Sequence, residues 1–313
     1  MASGPTPLIT VFGGGGFIGR YVCEALLKTG VRLRVAERDP RKAFFLQPLG
    51  GVGQVSLASA DFARPATIER AVDGASAVIN LVGLFKGNLH AVHVAGAATA
   101  AKAAHDGGAR AFVQVSAIGA DPKSSSVYAR TKGEGEGAVR VAFTNATIIR
   151  PSVVFGAEDQ FTNRFAGLAR LPILPVIAPN TRFQPIFVRD LAQAIAAAAL
   201  DPDRFGGHTF ELGGPETLTM RELNARIAAL AGQSPAMVDV PDFVAAAMAK
   251  LGFLPGAPLS NDQWLLLQRD NVAADGSRGL EAFGIEPTAI AAVAPAWLGR
   301  FIKGGRFAPR ATA

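Results

Sequence analysis

Hydrophobic residues occur in short, largely β-branched runs that alternate with longer, alanine-rich stretches from Leu8 to about residue 200. The runs LITVFG, VRLRVAE, QVSLASAD, AVINLVG, AFVQVSAIG and ATIIRP are mostly continuous in apolar character. Such runs are typical of parallel strands that are covered on both faces, and the stretches between them have the length of helices. The pattern predicts a doubly wound parallel sheet of the α/β class.

A glycine-rich segment, GGGGFIG, separates the first predicted strand from the first predicted helix. Gly13 permits a tight turn, Gly16 lets the backbone approach a pyrophosphate, and Gly19 lets the helix pack closely on the strand. The helix N-terminus adds free N–H groups and a positive dipole end, both of which suit phosphate. The segment therefore predicts a dinucleotide site, because it opens the first βα unit of a long α/β array.

The apolar alternation gives way to alanine-rich helical stretches and Pro/Gly turns after about Pro235. We therefore expect residues 1–235 to form an NAD(P)-binding domain of the Rossmann type, which includes part of a substrate cleft at about 155–185. Residues 236–313 are expected to form a smaller, mostly helical C-terminal extension.

Two residues at the end of the second predicted strand point to different cofactors. Glu37 can accept both ribose hydroxyls of NAD(H), whereas Arg38 can stack on adenine and pair with a 2′-phosphate. Arg41 and Lys42 add positive charge nearby, so local charge favours NADP(H), with NAD(H) as the alternative. Asp61, which ends the third strand, either accepts from the adenine amino group or caps the helix that begins near Pro65.

A second constellation lies downstream. Ser116 ends a predicted strand, and Tyr128 and Lys132 follow it in YxxxK spacing. Residues four apart share a helix face, so Lys132 is expected to lie beneath Tyr128 and to lower the pKa of its phenol. Tyr128 would then exchange a proton with an alcohol or carbonyl, with Ser116 as the orienting donor.

The segments GGGGFIG, INLVG, YARTK and FVRDLA together resemble the short-chain dehydrogenase/reductase superfamily, in its extended and atypical branches of epimerase and dehydratase type. KSSSVYARTKGEGEGAVRVAF and the late stretch SNDQWLLLQRDN further resemble the nucleotide-binding accessory subunit of respiratory complex I and its bacterial relatives. The resemblance implies an NADP(H)-type nucleotide that serves structure rather than turnover, and a place near a quinone-related assembly.

The expected cofactor site comprises Gly13, Gly16, Phe17, Ile18, Gly19, Glu37, Arg38, Asp61, Phe62, Leu81, Val82, Gly83, Val115, Tyr128, Lys132 and Pro151. The aromatic residues expected either to line a cleft or to fill the core are Phe155, Phe161, Phe165, Phe183 and Phe187.

Three positions depart from the family pattern. His93 occupies the place where many extended members have an asparagine in a proton relay, and it either holds a water or packs. Ala117 stands where a serine or threonine usually follows Ser116. Glu37 is the third departure. Two functions therefore remain open: a complex I-type accessory protein with a structural nucleotide, and an active NAD(P)-dependent oxidoreductase or epimerase on a lipophilic or quinone-like substrate.

Charge and cysteine content narrow the classes of function that remain open. The chain carries a net charge of +6, and residues 287–313 supply +4 of it through Arg300, Lys303, Arg306 and Arg310. A nucleic-acid surface on the main body is therefore not expected. With one cysteine, Cys23, neither a disulfide nor a thiolate metal site is expected, and a reducing cytoplasm fits.

The C-terminal segment has its own pattern. Trp297 and Phe301, and likewise Leu298 and Ile302, are four residues apart and make a short apolar stripe beside basic residues. Such a segment either docks on a partner or on the cytoplasmic face of the inner membrane, or it packs on the core. No apolar run reaches the ~18 residues that a membrane span needs.

Overall fold

The structure, a computed structural model, describes residues 6–252 and 259–302. The chain divides into two compact units. Unit 1 takes the described residues of Met1–Pro151, Val188–Leu212 and Ala274–Glu286, and unit 2 takes those of Ser152–Phe187, Gly213–Ala273 and Pro287–Ala313. The chain thus passes repeatedly between the units, whereas the sequence suggested one boundary near residue 235.

Unit 1 is built on a seven-stranded sheet in which every neighbouring pair is parallel. Its strands are β1 (Leu8–Phe12), β2 (Arg32–Glu37), β3 (Val55–Ser59), β4 (Ala77–Asn80), β5 (Ala111–Val115), β6 (Thr147–Pro151) and β11 (Thr209–Leu212). The spatial order is β11-β6-β5-β4-β1-β2-β3. The chain reverses direction across the sheet between β1 and β4, which is where doubly wound folds bind ligands. The predicted fold class is confirmed.

Helices cover both faces of this sheet. They are α1 (Phe17–Leu27), α2 (Pro65–Val72), α3 (Ala97–Asp106), α4 (Val127–Ala142), α6 (Val188–Leu200) and α7 (Pro202–Phe205). Helix α1 packs against α6, and α2, α3 and α4 pack in series. A core between the sheet and the α2–α4 layer contains Phe12, Ile68, Phe112 and Ile148, all less than 2% exposed. Two 3₁₀ helices, Pro40–Leu49 and Leu280–Phe283, and a π-helical turn, Ala91–Gly96, complete the unit.

Unit 2 combines short strand pairs with helices. Its strands are β7 (Val154–Phe155), β8 (Ile173–Ile177), β9 (Arg182–Phe183), β10 (Ile186–Phe187), β12 (Leu218–Thr219) and β13 (Ala236–Val240). Its helices are α5 (Phe161–Leu168), α8 (Met220–Leu230), α9 (Asp242–Lys250), α10 (Asn261–Leu267), α11 (Ile290–Val293) and α12 (Pro295–Leu298), followed by a 3₁₀ turn at Gly299–Phe301. Four of these six helices lie after residue 235, in agreement with a mostly helical C-terminal part. The strand β13, which pairs in parallel with β8, was not expected.

The apolar stripe near the C-terminus packs into unit 2. Leu298 is fully buried in the same cluster as Ile290, and Trp297 and Phe301 pack against that cluster. Arg300 donates to the Oδ1 of Asn163 at 2.6 Å. This part of the stripe therefore faces the core, whereas Lys303, Arg306 and Arg310 lie outside the described residues. Among the described helices, none combines the length and apolar character that a bilayer crossing requires.

Candidate nucleotide site

The glycine loop lies at the carboxyl end of β1, beside the point where the sheet order reverses. Gly13 has a φ of +79°, a left-handed conformation that glycine adopts without strain. A Cβ at Gly19 would collide with the carbonyl oxygen of Gly13, so the first turn of α1 lies directly against the loop. Gly16 precedes α1 as its exposed N-terminal residue. The first-turn N–H groups, including those of Phe17 and Ile18, therefore point toward the loop with no side-chain cap.

The end of β2 contacts this loop through Glu37. The N–H of Gly15 donates to the Oε1 of Glu37 at 2.7 Å, and burial raises the pKa of Glu37 against the opposing effects of that bond and of Arg38 and Lys42. Arg38 is exposed and forms no ion pair or side-chain hydrogen bond within the described residues. Arg41 instead pairs with Asp39 at 2.8 Å. Of the two residues that point to different cofactors, Glu37 already accepts a hydrogen bond from the glycine loop, whereas the guanidinium of Arg38 has no such partner among the described residues.

The segment after β4 joins the glycine loop to α4. Leu81 and Val82 lie against Gly13, where an added Cβ would meet them at 3.4 and 3.5 Å. A Cβ at Gly83 would stand 3.3 Å from the Nζ of Lys132. That Nζ donates to the carbonyl oxygen of Val115, at the end of β5, at 3.2 Å. Residues predicted from separate stretches of the sequence thus form one continuous edge across β1, β4 and β5.

Lys132 is buried, which disfavours its charged form. Burial lowers the pKa of Lys132 to about 8, although the nearby charge of Glu136 opposes the shift. Glu136 lies one turn further along α4 and is itself held by Arg150, whose Nε and Nη2 donate to its two oxygens at 2.9 and 2.7 Å. Arg150 also pairs with Glu211 at 3.1 Å. The two carboxylates around one guanidinium leave a net negative charge, which favours a protonated Lys132.

Tyr128 differs from the sequence expectation. It shares a helix face with Lys132, whose Nζ lies 5.9 Å from the centre of the phenol ring. However, burial raises the pKa of Tyr128 to about 12, where a lowered value was expected. The physical reason is that burial disfavours the charged phenolate, while the ammonium group of Lys132 is turned toward the carbonyl of Val115. Phe85 also stacks on the phenol ring at 4.5 Å, with 13° between the planes.

Ser116 carries a buried hydroxyl whose partner is missing. It is 4% exposed, and its Oγ makes no hydrogen bond to any described residue. A buried polar atom without a partner is costly in a folded protein, which points to a ligand or an ordered water. The free Oγ, the open glycine loop and the cradle at Gly83 fit a nicotinamide dinucleotide. In such a complex Gly13–Gly19 would hold the pyrophosphate, and Ser116, Tyr128 and Lys132 would face the nicotinamide half.

His93 is buried in the π-helical turn and uses both of its ring nitrogens in polar contacts, so it does more than pack. Its Nε2 accepts from the N–H of Leu84 at 2.9 Å, and its Nδ1 lies 2.9 Å from the Oγ1 of Thr131. Its ring meets the phenol of Tyr128 edge-on at 5.6 Å. Burial, and secondarily the charge of Lys132, lowers the pKa of His93 to about 3. The imidazole is therefore neutral at physiological pH.

Other predicted residues lie in structural roles. Phe62 packs edge-on against Phe12 at 5.2 Å and belongs to the unit 1 core. The Oδ1 of Asp61 accepts from the N–H of Ala63, so this carboxylate caps the turn ahead of α2. Pro151 is buried at the end of β6, where it pairs with Leu212. The five phenylalanines of the expected cleft, Phe155, Phe161, Phe165, Phe183 and Phe187, belong to a single apolar cluster in unit 2.

Sequence reasoning missed the residues that surround the phenol. Phe85 follows Gly83 by two residues, and Thr131 precedes Lys132 on the helix, but neither position carries a recognisable motif. Glu136 was also missed, although its i, i+4 spacing from Lys132 places the two on one helix face and could have indicated it. Among the described residues, no three His, Cys, Asp or Glu side chains are grouped as a metal site.

Comparison with known proteins gives a family match. The profile of the NAD dependent epimerase/dehydratase family matches residues 9–213. The chain is 33% identical over 320 residues to the mitochondrial NADH dehydrogenase (ubiquinone) 1 alpha subcomplex subunit 9 of Arabidopsis thaliana, which covers 95% of this chain and 78% of that protein. The resemblance inferred from the sequence is confirmed.

Two further proteins are similar over much of the chain. A ceramide reductase of Caulobacter vibrioides is 35% identical over 208 residues, which is 64% of this chain and 64% of that protein. The structure of an NADPH-dependent quinone oxidoreductase of Escherichia coli in complex with NADPH superposes with a TM-score of 0.75 at 20% identity, and it covers 91% of this chain and 97% of that one. At this identity the structural likeness concerns the fold.

Proposed function

Because the chain belongs to the NAD dependent epimerase/dehydratase family, we propose that it binds a nicotinamide dinucleotide as a structural cofactor and works as an accessory protein of respiratory complex I. The observation that carries this proposal is the extent of the similarity to complex I subunits, which spans 95% of the chain and therefore includes unit 2 as well as the nucleotide-binding sheet. A shared sheet alone would be expected of any member of the family.

The geometry around Tyr128 supports a binding role over turnover. Burial raises the pKa of the Tyr128 phenol to about 12, so at neutral pH the phenol is protonated and is not poised to take a proton from an alcohol. The ammonium group of Lys132 is occupied by the carbonyl of Val115. Phe85 covers one face of the phenol ring. The first contact fixes Lys132 on the end of β5 and the second covers the phenol, and neither prepares Tyr128 to act as a base.

NADP(H) is the cofactor that we propose. The carboxylate of Glu37 is bonded to the N–H of Gly15, so it is less available to accept from the ribose hydroxyls. Arg38 and Lys42 are exposed beside it and can pair with a 2′-phosphate. The closeness of Glu37 to Arg38 still leaves NAD(H) as a competitor, because a carboxylate beside a 2′-phosphate is repulsive.

A second function, reduction of a lipophilic carbonyl substrate, is favoured by one specific observation. The Tyr128–Lys132 pair is intact, and the Ser116 hydroxyl is buried without a partner among the described residues. A protonated Tyr128 could donate its proton to a carbonyl oxygen that Ser116 orients, while the bound cofactor supplies the hydride. The similarity to a ceramide reductase favours a ceramide-like substrate for this second function.

Purification from native membranes in mild detergent separates the two functions. We expect the tagged chain to recover complex I subunits together with a nucleotide that does not exchange during dialysis. A Gly16→Asp variant serves as the control, because a carboxylate in the loop repels the pyrophosphate and should remove the nucleotide.

Other outcomes of the same purification would contradict the accessory function. The reductase function would be supported instead if the chain is recovered without complex I subunits and with a cofactor that exchanges freely. That cofactor should then be oxidised when ceramide-like or quinone-like carbonyls are added. A wild-type chain that carries no nucleotide and binds neither NADPH nor NADH would refute both.

A further inference from the structure

The imidazole of His93 bridges two parts of unit 1 that border the nucleotide site. On one side its Nε2 accepts from the backbone N–H of Leu84, in the loop of residues 81–85 that follows β4. On the other side its Nδ1 meets the hydroxyl of Thr131, on α4 between Tyr128 and Lys132. Both distances are 2.9 Å, and His93 is 2% exposed.

These contacts determine where the imidazole proton lies. A backbone N–H can only donate, so the Nε2 of His93 must carry a lone pair toward Leu84. A neutral imidazole has one proton, which therefore resides on Nδ1 and is donated to the Oγ1 of Thr131. The hydroxyl of Thr131 in turn donates to the carbonyl oxygen of Val127 at 2.8 Å or to that of Tyr128 at 3.1 Å.

The hydrogen bonds therefore run in one direction, from the 81–85 loop through His93 and Thr131 into the backbone of α4. Bonds arranged head to tail polarise one another, which strengthens the chain. Both ring nitrogens are used, so His93 retains no site that could hold a relay water. Protonation would place a hydrogen on Nε2 facing the N–H of Leu84, and the nearby charge of Lys132 adds to that penalty.

We propose that His93 is a positioning residue, which fixes the 81–85 loop on α4 through its Nδ1–H tautomer and thereby holds Phe85 against Tyr128 and Gly83 beside Lys132. The contacts that His93 would fix are made by the two residues on either side of Leu84. Gly83 borders the Nζ of Lys132, and Phe85, although 65% exposed, stacks on the phenol. The consequence for nucleotide binding rests on the proposed function, whereas the loop geometry does not.

The backbone around His93 is adapted to this contact. His93 lies in a π-helical turn, Ala91–Gly96, a local widening that redirects side chains and is frequent at functional sites. Across from it, a Cβ at Gly135 would collide with the carbonyl oxygen of His93, so α4 approaches the turn as closely as the backbone permits. The imidazole therefore reaches Thr131 from a turn whose position is itself fixed by close packing.

Two conservative substitutions separate the two halves of the bridge. In His93→Gln the side-chain oxygen can replace Nε2 as the acceptor for Leu84. In His93→Asn the shorter amide can replace only the Nδ1–H donor toward Thr131. His90→Gln is the matched control, because His90 is an exposed histidine just before the same turn.

The readouts use the free protein. In wild type we expect the ¹⁵N spectrum of the histidines, of which there are four, to show one neutral Nδ1–H imidazole that does not titrate between pH 5 and 8. In His93→Asn we expect hydrogen exchange at the Leu84 amide to accelerate about tenfold, after correction for any change in global stability, because one hydrogen bond is lost. In His93→Gln and His90→Gln the exchange rate at Leu84 should stay unchanged. In a Tyr21→Phe background, which leaves Tyr128 as the single tyrosine, the absorbance titration of the phenol should move toward its ordinary midpoint only in His93→Asn.

An Nε2–H tautomer, titration of His93 between pH 5 and 8, or equal exchange at Leu84 in the Gln and Asn variants would overturn the proposal. NADPH affinity measured by calorimetry on the same variants extends the test, with a weakening of about tenfold expected in His93→Asn alone. If wild type binds neither NADPH nor NADH, the proposed function fails, while the spectra and exchange rates still decide the role of His93.

Discussion

Replacing Lys132 with methionine should change how the stability of the protein depends on pH. The ammonium group is buried, and its pKa falls from an ordinary 10.5 to about 8 in the folded chain. Between these values the unfolded chain binds more protons than the folded one, so the free energy of unfolding rises with pH. The full shift is about 2.5 pKa units, which corresponds to about 3 kcal/mol at 1.36 kcal/mol per unit.

The magnitude over an accessible range follows from the same two values. Between pH 7 and 9.5 the Lys132 contribution should raise the free energy of unfolding by about 2 kcal/mol in wild type, and this rise should be missing in Lys132→Met. The upper limit avoids Tyr128, whose raised pKa stabilises the fold below about pH 10 and is lost as pH rises toward 12. The quantity of interest is the slope, because methionine also changes packing at every pH.

Urea denaturation followed by circular dichroism, at several pH values, measures this slope. Lys102→Met is the matched control, since Lys102 is an exposed helix lysine whose ion pair with Asp106 contributes little, about 0.5 kcal/mol or less. Its slope should equal that of wild type. If Lys132→Met also keeps the wild-type slope, the ammonium group is not desolvated in the folded chain, and the account of its burial is refuted.

Two further predictions concern the cofactor and helix α4. Arg38→Ala should weaken NADPH binding by about tenfold or more and should change NADH binding little, whereas Glu37→Gln should weaken NADH binding more than NADPH binding. Calorimetry with both nucleotides measures these affinities. Equal losses for the two nucleotides in Arg38→Ala would mean that Arg38 does not contact a 2′-phosphate. Gly135→Ala should destabilise the protein by about 1–3 kcal/mol because its Cβ meets the His93 carbonyl, whereas Gly137→Ala, with open space around it, should stabilise α4 by up to about 1 kcal/mol in thermal unfolding. Similar effects at both glycines would contradict the close packing on α4.

The sheet could be predicted because its signals are local. Six of the seven strands of unit 1 coincide with the short, largely apolar runs of the sequence, and the glycine spacing at Gly13–Gly19 reflects contacts within a single βα unit. The seventh strand, β11 (Thr209–Leu212), was not predicted. The pairing of β13 with β8 joins residues about 60 apart and has no local signature, so it was missed. The repeated passage of the chain between the two units was missed for the same reason, because each crossing is decided by packing.

Sequence spacing predicted which side chains share a helix face better than it predicted their electrostatics. Spacing correctly placed Tyr128 and Lys132 on one helix face, but it could not show that the Nζ of Lys132 turns to the carbonyl of Val115. That direction is set by the end of β5, which is remote in sequence. The stacking of Phe85 likewise depends on the path of the 81–85 loop. The predicted sign of the Tyr128 pKa shift was wrong because burial, which raises the pKa of the phenol, cannot be seen from residue spacing.

Three polar groups of the candidate nucleotide site are committed to the protein before any nucleotide arrives. Lys132 holds the end of β5, the Glu37 carboxylate holds the glycine loop, and His93 holds the 81–85 loop. A site organised in this way gives up little conformational freedom on binding, which favours a tightly held nucleotide. Turnover has a different requirement, because a Tyr128 that acts as a base needs the charge of Lys132 turned toward its oxygen. The same contacts that favour retention of a nucleotide therefore oppose that step, which is what a structural cofactor requires.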